Sequence, residues 1–134
     1  RAPPSQGSAS RITYNQMVAQ LELSEAEIDR VFHALATSTR RDILRRTIEQ
    51  EQSVSTLAAD YDMSFAAVQK HVAVLEAASL IIKRAEGRER LVRANPEMIA
   101  RARALLAQYE DQWRSRIARL DDLLAEEAAN PEGA

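Results

Sequence analysis

Cysteine is absent from all 134 residues. That one absence removes disulfide frameworks, thiolate metal ligands and cysteine nucleophiles together, and it fits a reducing cytoplasm. Glycine and proline are scarce, at three and four residues, and aromatics make up only 4% of a chain that is 46% hydrophobic. Such a balance favours helices on short connections over a barrel or sandwich. No apolar run approaches the roughly 20 residues that span a bilayer, and the start of the chain lacks a signal-peptide core. A soluble, cytoplasmic protein with no membrane partner is expected. Charge of one sign is not in excess either: the formal net charge is −2, so overall electrostatics do not announce a nucleic-acid partner. A single core commonly serves roughly 100–150 residues, which leaves no room for a second, enzyme-sized domain.

The distribution of charge says more than its total. Residues 1–52 hold seven basic and seven acidic groups, residues 53–94 six and five, and residues 95–134 five and eight. Within the middle block, Lys83, Arg84, Arg88, Arg90 and Arg93 fall inside eleven residues, with only Glu86 and Glu89 among them. This is a local cationic patch.

The first twelve residues, rich in proline, glycine and serine, have little to bury and are expected to form a disordered arm. A short helix is read over residues 14–21. The run SEAE at residues 24–27 has the form of a capping box, and Ile28, Val31, Phe32, Leu35 and Ala36 follow at helical spacing as one buried stripe. Residues 37–39 then cap a second helix over about 40–48, with Ile43, Leu44 and Ile48 facing the core. Ser53 or Ser55 caps a short third helix through Leu57, Ala58 and Tyr61, and Ser64 caps a fourth over about 65–78. Two helices joined by so tight a turn, the second turning Val68, Val72 and Leu75 inward, form the pattern of a helix-turn-helix. Its exposed side is expected to show Phe65, Ala66, Gln69, Lys70 and Ala73.

Beyond Leu80 the period becomes alternating, through Ile82, Arg84, Arg90, Val92 and Ala94, which reads as a two-stranded hairpin turning at Gly87. Asn95-Pro96 starts a last helix, whose stripe of Ile99, Ala102, Leu106, Tyr109, Trp113, Leu120 and Leu124 runs to about residue 127. The segment 128–134 is expected to be a flexible tail. A helix of roughly 30 residues is about 45 Å long, too long for the domain to cover. Its exposed stripe, adhesive on a monomer, is most simply buried by a two-fold mate. Leu106, Tyr109, Trp113, Leu120 and Leu124 are therefore the candidate dimerisation residues.

These segments together resemble the ArsR family of winged-helix bacterial repressors. The resemblance rests on ALATSTRRDILRR (residues 34–46), SVSTLAADYDMSFAAVQKHVAVLEAASLI (53–81) and KRAEGRERLVRAN (83–95). The C-terminal helix, with QYEDQWRSRIARLDDLL, looks like the cysteine-free branch rather than the metal sensors. The resemblance implies a mainly α fold with a small β-hairpin: a winged helix-turn-helix over residues 13–95 and a dimerisation helix over 96–127. It also implies a homodimer that binds double-stranded DNA.

On that reading the recognition-helix residues are Ser64, Phe65, Ala66, Gln69, Lys70 and, carried over from the family's KH pattern, His71, which either bonds phosphate or packs at the domain edge. Chemistry supports several of these assignments. Glutamine can bond adenine in bidentate fashion, lysine can reach guanine or phosphate, and Phe65 and Ala66 can meet thymine methyls. Arg84, Arg88 and Arg90 are the wing candidates, for phosphate or minor-groove contact. Arg40 and Arg41 are expected to shape the fold's surface rather than touch DNA. Two histidines cannot complete a tetrahedral zinc site unaided, so no metal is expected and His33 reads as a packed or edge residue. No catalytic motif can be defended, and neither an enzymatic role nor a cofactor is expected. The expected function is a sequence-specific repressor on a palindromic operator, able to control its own gene. The alternatives are a winged-helix module for protein contact and a repressor released by a small apolar ligand; the effector is left unknown.

Overall fold

The computed structural model describes Thr13 and residues 22–130. The expected arm over residues 1–12 and helix over 14–21 lie outside the described residues, Thr13 apart.

Helix α1 (Glu25–Ala34) starts at a complete capping box. Ser24 Oγ accepts the Glu27 N–H at 3.1 Å and Glu27 Oε1 accepts the Ser24 N–H at 2.8 Å, so two free backbone donors are satisfied reciprocally. That hydrogen bond from the Ser24 backbone is the main reason the Glu27 carboxyl titrates below its ordinary value. Helix α2 (Ser38–Glu49) is capped by Thr37. Strand β1 (Gln52–Ser53) leads through the cap Ser53 into helix α3 (Val54–Ala59), and Ser64 caps helix α4 (Phe65–Ala77). Strands β2 (Ile81–Glu86) and β3 (Glu89–Ala94) form the hairpin, and helix α5 (Pro96–Ala129) completes the described chain, with Asn95 as its cap and proline in its first turn.

Val31, Ala34, Ile43, Leu57, Val68, Val72, Leu75, Leu80, Ile81 and Val92 make the heart of a single core. Four helices and the sheet each contribute, so the core fixes α4 against α1, α2, α3 and β2. The end of α4 is closed by a Schellman arrangement: the Leu80 N–H reaches Leu75 O at 3.0 Å and the Ser79 N–H reaches Glu76 O at 2.9 Å, while Ser79 takes φ +60. Glycine usually fills that left-handed position; here a serine does, and Asn95 Nδ2 donates to its carbonyl at 2.9 Å.

Several expectations need correction. Phe32 and Ile48 are exposed, 47% and 58%, and Ala36 is exposed as well. The inward face of α1 is Val31 and Ala34, and that of α2 is Ile43 and Thr47. The sheet has three strands in the order β1-β3-β2, not two. Its register pairs Lys83 with Val92 and Ala85 with Arg90, so Ile81 and Val92 are the buried residues and Ile82 and Arg84 stand on the opposite face. Helix α5 continues to Ala129, so the first two residues of the expected tail are helical.

Candidate nucleic-acid interface

Helices α3 and α4 meet through the turn at residues 60–64, which a polar cluster anchors to α2. Tyr61 Oη donates to Asp42 Oδ2 at 2.5 Å. Arg46 donates to Asp60 at 2.7 Å and to Gln52 at 2.9 Å while lying over the Tyr61 ring. The tyrosine hydroxyl, helped by Arg45, holds the Asp42 carboxyl below its ordinary range. Burial, with Asp42 second, raises the Tyr61 phenol.

With its inner face fixed by Val68, Val72 and Leu75, α4 presents Phe65, Ala66, Gln69, Lys70 and Ala73 to solvent. Phe65 is 48% exposed at the head of the helix, an apolar ring with no place in the core. Ser64 is beside it, but its Oγ accepts the Ala67 N–H at 3.1 Å, so the hydroxyl serves as the cap. The wing rises alongside. Val54, Ser55, Phe65, Gln69, Val72, Lys83, Arg88, Glu89 and Arg90 together line a concavity of about 230 Å³ between α4 and the hairpin. Arg90 shares the inner face with Lys83 because the register places both there. Lys83 is also 3.5 Å from Glu76. Arg88 and Arg90 have no ion-pair partner among the described residues. Arg88 is in the turn, the two-residue loop of Gly87 and Arg88, and Arg90 follows on β3; φ is +60 at Gly87, the place a type II′ hairpin reserves for glycine.

Two expected contributors are not in this constellation. Arg84 is on the outer face, its Nε and Nη2 bound to Glu51 at 3.0 and 2.8 Å; the same pair holds Glu51 below its ordinary range. His71 follows Gln69 by two residues, a rotation of about 200° round the helix, and is half-buried with Nδ1 3.2 Å from Arg40 Nη1. A guanidinium only donates, so Nδ1 accepts and the ring proton resides on Nε2. Burial, then the Arg40 charge, pushes the His71 imidazolium pKa down.

Arg40 itself is buried. Its Nε donates to Ala34 O at 2.9 Å and its Nη2 to His33 O at 2.7 Å, while Arg41 Nη1 takes Leu35 O at 2.8 Å. The arginine pair therefore closes three successive carbonyls at the end of α1, where the helix dipole favours cations. The His33 ring is exposed. No cluster of three or more His, Asp or Glu suited to a metal occurs among the described residues, and none of their helices is long and apolar enough to cross a membrane. Sequence reasoning missed Glu51, which lies outside any recognisable motif, and named Ser55 only as a possible helix cap.

Past Leu105, every residue of α5 is exposed. Leu106, Tyr109, Trp113, Leu120 and Leu124 form one stripe with Ile117, which the sequence reading omitted, and Leu123 flanks it. Arg116 stacks 6.0 Å from the Trp113 ring.

Comparison with known proteins bears on this arrangement. A helix-turn-helix domain family matches residues 35–84. The HTH-type transcriptional regulator Rv2034 of Mycobacterium tuberculosis is 34% identical over 94 residues, which cover 70% of this chain and 88% of that protein. An ArsR-like transcriptional regulator from Rhodococcus sp. RHA1 superposes with a TM-score of 0.66 at 32% identity, over 73% of this chain and 92% of the other. A homodimeric winged helix-turn-helix DNA-binding domain, Mb0332 from Mycobacterium bovis, does so with a TM-score of 0.53 at 25% identity, over 78% and 93%. The chain described here belongs to the ArsR family and is a transcriptional regulator with that family's DNA-binding winged helix-turn-helix.

Proposed function

We propose that the protein is a homodimeric repressor that reads a two-fold symmetric operator, with α4 of each copy in a major groove and the wing alongside. The observation that carries this reading is the shared concavity: Phe65 and Gln69 from α4, and Lys83, Arg88 and Arg90 from the hairpin, converge on one solvent-facing groove. Gln69, Lys70, Phe65 and Ala66 address base edges. Arg88 and Arg90, free of ion pairs among the described residues, address phosphates and release counterions as they bind. Arg84 braces the wing through Glu51, and His71 braces α4 through Arg40, instead of touching DNA.

The homodimer follows from the bare end of α5. Most of the stability of a helix in a protein comes from packing its amphipathic face, and burying each large apolar side chain contributes about 1.5–3 kcal/mol. That the similar domain from Mycobacterium bovis is homodimeric supports the same assembly here. Gel-shift titration against the DNA flanking the protein's own gene tests the reading. Binding tighter than to random duplex, weakening steeply as salt rises, is expected; equal affinity for both refutes it. Replacing Arg88 and Arg90 by alanine lowers affinity for all sequences and flattens the salt slope, whereas Gln69→Ala mainly relaxes sequence preference. A stable monomer without DNA affinity supports instead a module for protein contact.

A second reading adds release by a small apolar ligand. It is favoured by an open groove of about 550 Å³ lined by Thr47, Ile48, Gln50, Glu51, Arg93, Ala94, Pro96 and Ile99, into which the exposed Ile48 brings apolar surface. Ile48→Glu that leaves ligand-induced loss of DNA binding intact rules out this groove as the ligand's site.

A further inference from the structure

The groove at the foot of the wing, between the end of α2 and the start of α5, carries a charge imbalance that the fold alone does not explain. Its apolar surface comes from Ile48, Ala94, Pro96 and Ile99, and its polar edge from Gln50, Glu51 and Arg93. Thr47 adds no unmet polar group, because its hydroxyl donates to Leu44 O at 2.8 Å. The volume, about 550 Å³, is that of a small-molecule site, and so is the mixture of apolar walls with a few polar groups.

At the polar edge two guanidiniums share one carboxylate. Arg84 holds Glu51 through two hydrogen bonds. The register sets Arg93 opposite Ile82, two residues from Arg84 on the same face of the sheet, a diagonal spacing that long side chains bridge. The Arg93 charge is felt at Glu51, whose carboxyl it helps Arg84 to hold down. Yet Arg93 is exposed and has no ion-pair partner of its own among the described residues. One further carboxylate at this edge gives each guanidinium an anion, and a guanidinium binds a carboxylate in bidentate fashion.

From this juxtaposition of apolar walls and an unpaired guanidinium we infer that the groove binds an amphipathic monocarboxylate of the medium-chain fatty-acid kind. Its tail lies along Ile48, Pro96 and Ile99 and its carboxylate on Arg93. The inference rests on the reading of release by a small apolar ligand and deepens it by naming the ligand's chemistry. The concavity of about 250 Å³ between α1 and α5 makes a contrast. There Glu22 and Glu25 stand beside Leu23, Ile28 and Tyr109, acids that repel such an anion.

The groove also reaches the wing. Arg93 and Ala94 end the strand that carries Arg90, and the Glu51–Arg84 pair braces the other strand of the hairpin. A ligand carboxylate on Arg93 competes with Glu51 for Arg84, so occupancy loosens the brace that holds the hairpin beside α4 and weakens DNA binding.

Octanoate and 1-octanol, equal in chain length and different in head group, test the assignment. Calorimetric titration of the full chain measures their binding, and gel shifts on the DNA flanking its own gene, with and without each probe, measure release. Octanoate is expected to bind about tenfold more tightly than 1-octanol, the worth of one charged hydrogen bond, and to lower DNA affinity. Arg93→Gln, at an exposed position, makes the two probes bind alike. Ile48→Glu abolishes octanoate binding and leaves the solution mass unchanged. Equal affinity for both probes in the unsubstituted protein, or a preference for octanoate that survives Arg93→Gln, overturns the carboxylate assignment and leaves release by an apolar ligand standing. Binding of neither probe, or octanoate binding without loss of DNA affinity, removes the release reading as well. Octanoate affinity untouched by Ile48→Glu overturns this groove as the site. A lower solution mass for Ile48→Glu overturns it too, because a second copy of the chain then covers the groove.

Discussion

The two ends of α5 teach different lessons about one helix. Near its start, Met98 is buried, Ile99 and Ala102 pack partly against the winged-helix core and Leu105 is half-buried; beyond Leu105 not one side chain is covered, although its leucines, tyrosine and tryptophan are as apolar as those of the core. The sequence pattern is continuous across the boundary. What changes is the presence of something to pack against, so apolar periodicity records the intention to bury a face without naming the partner.

The sharpest way to break this comparison is to delete the same chemistry at both ends. Leu75→Ala removes a fully buried side chain and is expected to cost about 2–5 kcal/mol, measured by denaturant unfolding and independent of protein concentration. Leu120→Ala removes an equal volume from an exposed position. Its expected effect, about 1–2 kcal/mol, appears as a shift of the dimer equilibrium and a melting temperature that depends more strongly on concentration. A concentration-independent loss at Leu120 as large as that at Leu75 would mean that the distal helix belongs to the core of one chain.

The next largest effect is expected from Arg40→Ala. It leaves Ala34 O and the half-buried His71 ring without their donor, while His33 O keeps the Ala36 N–H at 3.2 Å; an unsatisfied buried group costs about 1–3 kcal/mol, which is the loss expected. A loss under about 0.5 kcal/mol would show that water replaces the guanidinium at no cost. The sequence placed this arginine on the polar surface, and it is buried. A basic residue three positions after a helical cap carries no periodic signature of burial; only the approach of the α1 terminus makes carbonyls available to it.

Legibility followed the range of the interactions concerned. Caps are decided within three or four residues: Ser24 and Ser64 are where the sequence put them, and Ser53 is one of the two candidates it offered. The inner face of α4 was legible too, since Val68, Val72 and Leu75 keep a helical period. The hairpin was recognised, yet Arg84 was assigned to the wing's contact surface. A slip of one residue in register exchanges the two faces of a strand, and β1, two residues long, is too short to show any period at all. Phe32 and Ile48 looked like core residues because each helix has more apolar positions than one buried face can hold. Ile117 was passed over although, four residues after Trp113 and three before Leu120, it keeps the helical spacing of the stripe. For the ring of His71 the family pattern left phosphate contact and packing at the domain edge both open, and helical geometry turns it toward Arg40.

A smaller effect, with a sign in pH, is expected at the anchored turn. The Asp42 carboxyl titrates below its ordinary value chiefly because Tyr61 donates to it. A carboxyl depressed in the folded state contributes stability that is complete above its unfolded pKa and is lost as pH falls through the folded value. Tyr61→Phe should therefore cost about 1 kcal/mol at neutral pH, with the gap to the unsubstituted protein narrowing under acid. A gap that widens on acidification would show that the hydroxyl does not act through the Asp42 carboxylate.

The finest comparison is between the two left-handed positions that flank the interface. Gly87 takes φ +60 with open space around a would-be side chain, so Gly87→Ala is opposed by backbone strain alone, about 1 kcal/mol. Ser79 takes the same φ with a side chain already present, so Ser79→Gly should relieve that strain. The gain is partly offset by the greater freedom of glycine in the unfolded chain and should reach about 0.5 kcal/mol. Paired unfolding curves measure both, and the signs should be opposite. If Ser79→Gly destabilises instead, the serine side chain makes a compensating contact at the end of α4, and the two positions are alike only in their backbone angle.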